Sequence, residues 1–189
     1  VGQRHAALAA ELELNRRTAP ELYLAVRPLS RTGTGDFEIG EKGEVVDWLL
    51  EMRRFPDDAL LEHVAEREEV DDALVLKLAD TIAAFHGTAA PFAGSGGHAA
   101  IEAVIEGNRA SLARHSDLFP VEEMDRLIDR QARLGQRWSA LLDARGVRGR
   151  VRRGHGDLHL ANIAVIDGEP VLFDCLEFSE ALATTDVVY

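Results

Sequence analysis

Apolar residues recur along this chain with two different periods, and the change of period divides it into elements. Residues 4–17 carry Leu8 and Leu12 one helical turn apart with alanines between them, which predicts a helix ended by Pro20. Residues 22–29 read as a strand, and Ser30–Gly35 as a turn. Phe37–Ile39 and Val45–Leu50 read as two strands paired to each other around Gly40 and Gly43. Pro56-Asp57-Asp58 is a helix-start signal for 57–65, with Leu60, Leu61 and Val64 inward. Residues 71–86 give the clearest amphipathic pattern, with Leu74, Leu78, Ile82 and Phe85 on one face and Gly87 as a stop. Pro91, Gly94, Gly96 and Gly97 mark a loop over 88–97. Helices are expected over 98–114 (Ile101, Ile105, Leu112) and over 121–144. The second has Leu127, Leu134, Trp138 and Leu141 on one stripe, and Trp48 and Trp138 are both expected in the core.

After Gly146 the pattern changes. Asn162–Ile166 is apolar and alternating, Asp167-Gly168 is a hairpin turn, and Val171–Asp174 returns. The order is therefore helix, small sheet, helix block, then a polar loop feeding a hairpin. The fold class expected is α+β.

Composition narrows the partners. The 189 residues are 46% hydrophobic, as in a globular chain, and carry a formal net charge of −12. That acidity argues against DNA or RNA as the main partner and is most simply a solubilising surface. Cys175 is the lone cysteine, so no intrachain disulfide is available, and a reducing cytoplasm is the expected compartment. No apolar run has the length of a membrane span. The chain opens at Val1 without methionine and stops at Tyr189 directly after an apolar pair, which leads us to expect a piece of a longer protein.

The chemistry is concentrated in Gly154-His155-Gly156-Asp157-Leu158-His159-Leu160-Ala161-Asn162. This loop packs His155, Asp157, His159 and Asn162 ahead of a buried strand. Structural loops rarely carry so many polar groups, because each one buried needs a partner. Phosphoryl transfer from a nucleotide needs a carboxylate to take the proton of the attacking hydroxyl, and oxygen ligands that hold magnesium against the phosphates. Asp157 suits the first task. Asn162 follows five residues later, the D-x-x-x-x-N offset, and its amide oxygen suits magnesium. The hairpin folds the chain back, so Asp174 returns to the same end as Asn162 and offers a second ligand.

These residues resemble the aminoglycoside-phosphotransferase and choline-kinase group of protein-kinase-like enzymes. His155-Gly156-Asp157 stands where that group has H-G-D, Asn162 where it has its catalytic-loop asparagine, and Phe173-Asp174 where it has I-D or V-D. The wording of Met52–Pro56, Ile82–His86 and Leu172–Phe178 is similar to one bacterial branch, whose members are often fused to a P-loop kinase-like domain. The resemblance implies Asp157 as catalytic base, Asn162 and Asp174 as magnesium ligands, His155 as a brace for the loop, and His159 as a supporting or substrate-facing residue. It implies ATP or GTP as co-substrate and an unidentified small-molecule hydroxyl as acceptor. It also implies that residues 1–52 are the remnant of an N-terminal lobe and residues 53–189 a mostly helical C-terminal lobe. Met52 would then lie at the hinge where the adenine is read. Glu11, with Glu13 as the alternative, would be the helix glutamate that pairs with a phosphate-binding lysine.

That lysine and a phosphate-covering loop are absent ahead of the first helix. Lys42 and Lys77 are the only lysines, and Gly33-Thr34-Gly35 reads as a hairpin turn. Two rivals stand beside the kinase reading. His155, Asp157 and His159 have H-x-D-x-H spacing, as in some metal-dependent hydrolases. A pseudokinase-like nucleotide-binding module is the other. Arg148, Arg150, Arg152 and Arg153 read as a solvated strand edge.

Overall fold

A computed structural model describes residues 1–92, 97–115 and 117–188. The chain is a mixed α+β protein. It forms two compact units, Val1–Thr88 with His155–Ala183, and Ala89–Gly154 with Thr184–Tyr189.

In the first unit, α1 (Gly2–Asn15) leads into β1 (Tyr23–Arg31), β2 (Phe37–Ile39) and β3 (Glu44–Met52). The sheet order is β2-β1-β3, all antiparallel. The expectation that Phe37–Ile39 and Val45–Leu50 pair with each other is corrected here, because β1 lies between them. At nine residues β1 is long enough to pair with β2 at its far end (Leu29↔Ile39) and with β3 along its whole length. A short 3-10 turn over Asp57–Ala59 precedes α2 (Leu61–Glu66), and α3 spans Asp72–Thr88. Gly87 does not stop α3, which runs one residue past it.

The unit is completed by a hairpin, β5 (Ile163–Ile166) and β6 (Glu169–Leu172), numbered after β4 of the second unit. Asp167 and Gly168 both have positive φ, 54° and 77°, as a two-residue turn matched to the strand twist requires. Pleating sends alternate residues to opposite faces. Ile163, Val165 and Leu172 pack with Leu61, Val64 and Phe85. Ile166, Val171 and Phe173 pack with Ala19, Leu22 and Tyr23. The hairpin is therefore clamped on both faces, and Leu172 has no exposed surface.

The second unit holds α4 (Gly97–Arg114), α5 (Val121–Val147), β4 (Val151–Arg153) and β7 (Thr184–Asp186), with α6 (Glu180–Ala183) ending the first unit just before β7. Helices α4 and α5 occur as expected, but the buried face of α5 does not. Ile128 and Gly135 are buried, and Met124, Gln131, Ser139 and Leu142 are half-buried on the same side. Leu127, Leu134, Trp138 and Leu141 are exposed, and Trp138 retains 49% of its surface. Gly135 faces α4: a Cβ added there would sit 3.6 Å from Ile105 and 3.8 Å from Ile101, ordinary van der Waals contact, so this is the side of α5 that packs on α4. Trp48 is half-buried and stacks on His5, with ring centroids 4.1 Å apart. The arginine-rich strand β4 pairs antiparallel with β7. Arg145 of α5 grips Asp186 of β7 through two 2.6 Å hydrogen bonds, which hold that carboxyl below its usual pKa.

Candidate active site

The 154–162 loop is built around one buried side chain. His155 is 2% exposed, and its Nε2–H donates to the carbonyl of Phe173 at 2.8 Å. Burial pushes its pKa below the ordinary histidine value, against the pull of that hydrogen bond and of nearby Asp174 and Asp157, so the ring is a neutral brace. The backbone answers in kind, because Leu176 N–H donates to the His155 carbonyl at 2.8 Å. Gly156 follows with φ 85°; a Cβ there would meet Leu176 at 2.8 Å and Ala183 at 3.0 Å, so only glycine fits.

The turn at Gly156 brings Asp157 to the surface, where its side chain keeps 56% of its exposure. Asn162 is buried behind it. Its Nδ2 donates to the Asp157 carbonyl at 2.9 Å and to Asp157 Oδ2 at 3.4 Å. The amide nitrogen is thereby committed to Asp157, and the amide oxygen is the atom left to ligate. His159 accepts from Ala161 N–H at Nδ1 (3.3 Å), so Nε2 carries the proton and faces Asp157 Oδ2 at 3.6 Å.

The hairpin then delivers the second carboxylate. Phe173 N–H donates to the Asn162 carbonyl at 3.0 Å, which extends the Ile163↔Leu172 ladder by one step and puts Asp174 directly beyond Asn162. Asp174 is exposed and left-handed, with φ 62°. Glu11 reaches the same region from α1. Burial, then the charges of Glu177 and Asp174, raise its pKa.

The structure thus brings together Asp157, Asn162, Asp174, His155, His159 and Glu11. Glu13, the alternative to Glu11, is exposed. Met52 ends β3 opposite Tyr23 and is 39% exposed. The H-x-D-x-H ligand set is not assembled, because His155 is buried on Phe173 while Asp157 and His159 point outward. Among the described residues no group of three or more His, Cys, Asp or Glu side chains could hold a metal ion. Magnesium asks for less: one or two protein oxygens, with phosphate and water completing its shell. Asn162 and Asp174 fit that demand, and the carboxylates crowding Glu11 create a negative field that a cation relieves.

Two contributors escaped sequence reasoning. Tyr23 and Asn15 lie far from the motif in sequence, yet their side-chain oxygens accept from the backbone N–H groups of Asp174 and Cys175. Asn15, a polar residue in the last turn of a helix read mainly for its leucines, was the available signal.

The profile of the family described as "Phosphotransferase enzyme family" matches residues 2–189. Among curated proteins the chain is 29% identical, over 188 residues, to an uncharacterised protein of Mycobacterium bovis, Mb2027c. It is equally similar to the uncharacterised proteins MT2060 and Rv2004c of Mycobacterium tuberculosis. Each match covers 97% of this chain and 36% of the relative, so the chain spans about a third of their length. No solved structure matches it.

Proposed function

Because the chain belongs to the phosphotransferase enzyme family, we propose that it moves the γ-phosphoryl group of ATP or GTP to a hydroxyl of a small molecule. The observation that carries this reading is the Asp157–Asn162–Asp174 cluster. Two exposed carboxylates flank a buried amide whose nitrogen is already engaged.

Asp157 acts as the proton acceptor. Its backbone carbonyl is fixed by the Asn162 amide, and His159 Nε2–H lies 3.6 Å from its carboxylate. As the acceptor hydroxyl attacks, a bond forms between its oxygen and the γ-phosphorus, the bond to the β–γ bridging oxygen breaks, and the proton passes to Asp157. Asn162 Oδ1 and Asp174 would hold magnesium, which when bound neutralises charge on the phosphates. Glu11 supplies the partner for a phosphate-binding cation, and Met52 marks the expected hinge between the remnant N-terminal lobe, 1–52, and the C-terminal lobe, 53–189. The acceptor class, the base of the nucleotide, a cytoplasmic location and a fused P-loop kinase-like domain belong to this proposal, as does the activity of the whole protein.

Asp157→Asn tests it. In a protein extended to the relatives' length, turnover should fall by at least ~10²-fold with nucleotide affinity kept, the scale of general-base loss. Unchanged turnover removes Asp157 from the mechanism.

A second reading has one observation in its favour. Lys77 bonds Glu169 at 2.5 Å and the Gly168 carbonyl at 2.9 Å, at the hairpin turn and not at Glu11. A nucleotide-binding regulatory module without turnover would have this appearance. Magnesium-dependent nucleotide binding with no phosphoryl transfer in the extended protein would favour it.

A further inference from the structure

Four consecutive backbone N–H groups, from Phe173 to Leu176, are each engaged. Two are held by the catalytic segment itself: Phe173 by the Asn162 carbonyl and Leu176 by the His155 carbonyl. The middle two are held from elsewhere. Asp174 N–H donates to the hydroxyl of Tyr23 at 3.1 Å, and Cys175 N–H donates to Asn15 Oδ1 at 2.7 Å. Neither Tyr23 nor Asn15 belongs to the motif, and both are almost wholly buried.

These two side chains are themselves fixed. Asn15 Nδ2 donates back to the Glu11 carbonyl at 3.0 Å, and the Asn15 carbonyl accepts from Ala19 N–H at 2.8 Å at the end of α1. Tyr23 N–H donates to Ala19 at 3.2 Å, and the Tyr23 carbonyl accepts from Arg16 Nε at 2.9 Å. One corner, from α1 into β1, therefore carries both contacts.

Asp174 needs such support. It is a non-glycine residue with φ 62°, a left-handed conformation that carries a steric cost and that surrounding contacts must hold. The left-handed backbone is what turns its carboxylate outward at the end of the hairpin. A chain with the N–H groups of 174 and 175 released would relax toward ordinary φ and swing that carboxylate away.

We propose that Asn15 and Tyr23 are positioning residues that latch the backbone of Asp174 and Cys175 and so set the direction of the Asp174 carboxylate. The inference rests on the reading of Asp174 as a magnesium ligand. It gives the α1–β1 corner a task in metal binding beyond filling the core. Asn15 lies one helical turn after Glu11, so α1 places a carboxylate and a backbone latch on the same side of the site.

The test is the magnesium dependence of ATP binding, measured by calorimetry in the extended protein for the unchanged sequence, Tyr23→Phe and Asn15→Leu, with thermal midpoints recorded in parallel. Tyr23→Phe removes one oxygen and keeps the ring, so it should fold. It should raise the half-saturating magnesium concentration about fivefold, the worth of one hydrogen bond. Asn15→Leu leaves a buried N–H unpaired and should raise it about tenfold or more. Lower thermal midpoints with unchanged magnesium dependence would overturn the latch and leave both residues purely structural. Loss of magnesium-dependent binding in the unchanged protein would instead overturn the kinase reading, and the latch with it.

Discussion

The hairpin β5–β6 and the helix α5 both carry apolar side chains, yet they use them differently. The hairpin is clamped between two clusters, and the segments at its mouth have their backbone polar groups bonded in sequence. Helix α5 turns a mixed side, Met124, Ile128, Gln131, Gly135, Ser139 and Leu142, toward partial or full burial and leaves Leu134, Trp138 and Leu141 in contact with solvent. Apolar content alone therefore does not locate a core. What decides is which side a neighbour covers, and α4 covers the side of α5 that carries Gly135.

Substitutions sharpen this contrast. Leu172→Ala should be the most damaging, at about 2–5 kcal/mol, because it empties a fully enclosed site in the cluster with Leu61, Val64 and Phe85. A chemical denaturation midpoint hardly changed from the unsubstituted protein would show that the hairpin is not the anchor.

His155 gives a smaller, pH-dependent effect. Its folded pKa lies below the ordinary value of 6.5. Below that value the unfolded chain binds a proton that the folded chain resists. Stability is thus full above about pH 6.5 and is lost as pH falls from there toward the folded pKa. The same titration on His155→Gln should lose this component, with a lower baseline throughout. A parallel pH dependence in both proteins would contradict the neutral, buried brace.

Trp138→Ala should do least. With half of the ring exposed, the change should stay within about 1 kcal/mol, against the 3–5 expected for a buried tryptophan. A large loss in thermal unfolding would restore the stripe first read from the sequence.

Legibility followed the same line. The β5–β6 turn was readable because Asp167-Gly168 specifies positive φ twice, and the loop was readable because Gly156 and the Asp157–Asn162 offset are set by local geometry. The long helices were readable from their period, but the buried side of α5 was not, since a period gives a face only when one face is clearly more apolar. Strand partners were also hidden: nothing local tells β2 and β3 that β1 lies between them. The same holds for Asn15 and Tyr23, whose bonds to Cys175 and Asp174 span 160 and 151 residues respectively. Such contacts depend on the whole chain path.

The central claim is that Asp174 and Asn162 hold magnesium against a nucleotide. Calorimetry of ATP binding with and without magnesium, on the extended protein and its Asp174→Ala variant, tests it most directly. The account predicts magnesium-dependent binding that is lost in the variant. Binding of equal strength in both proteins, or no magnesium-dependent binding of ATP or GTP in either, would contradict it.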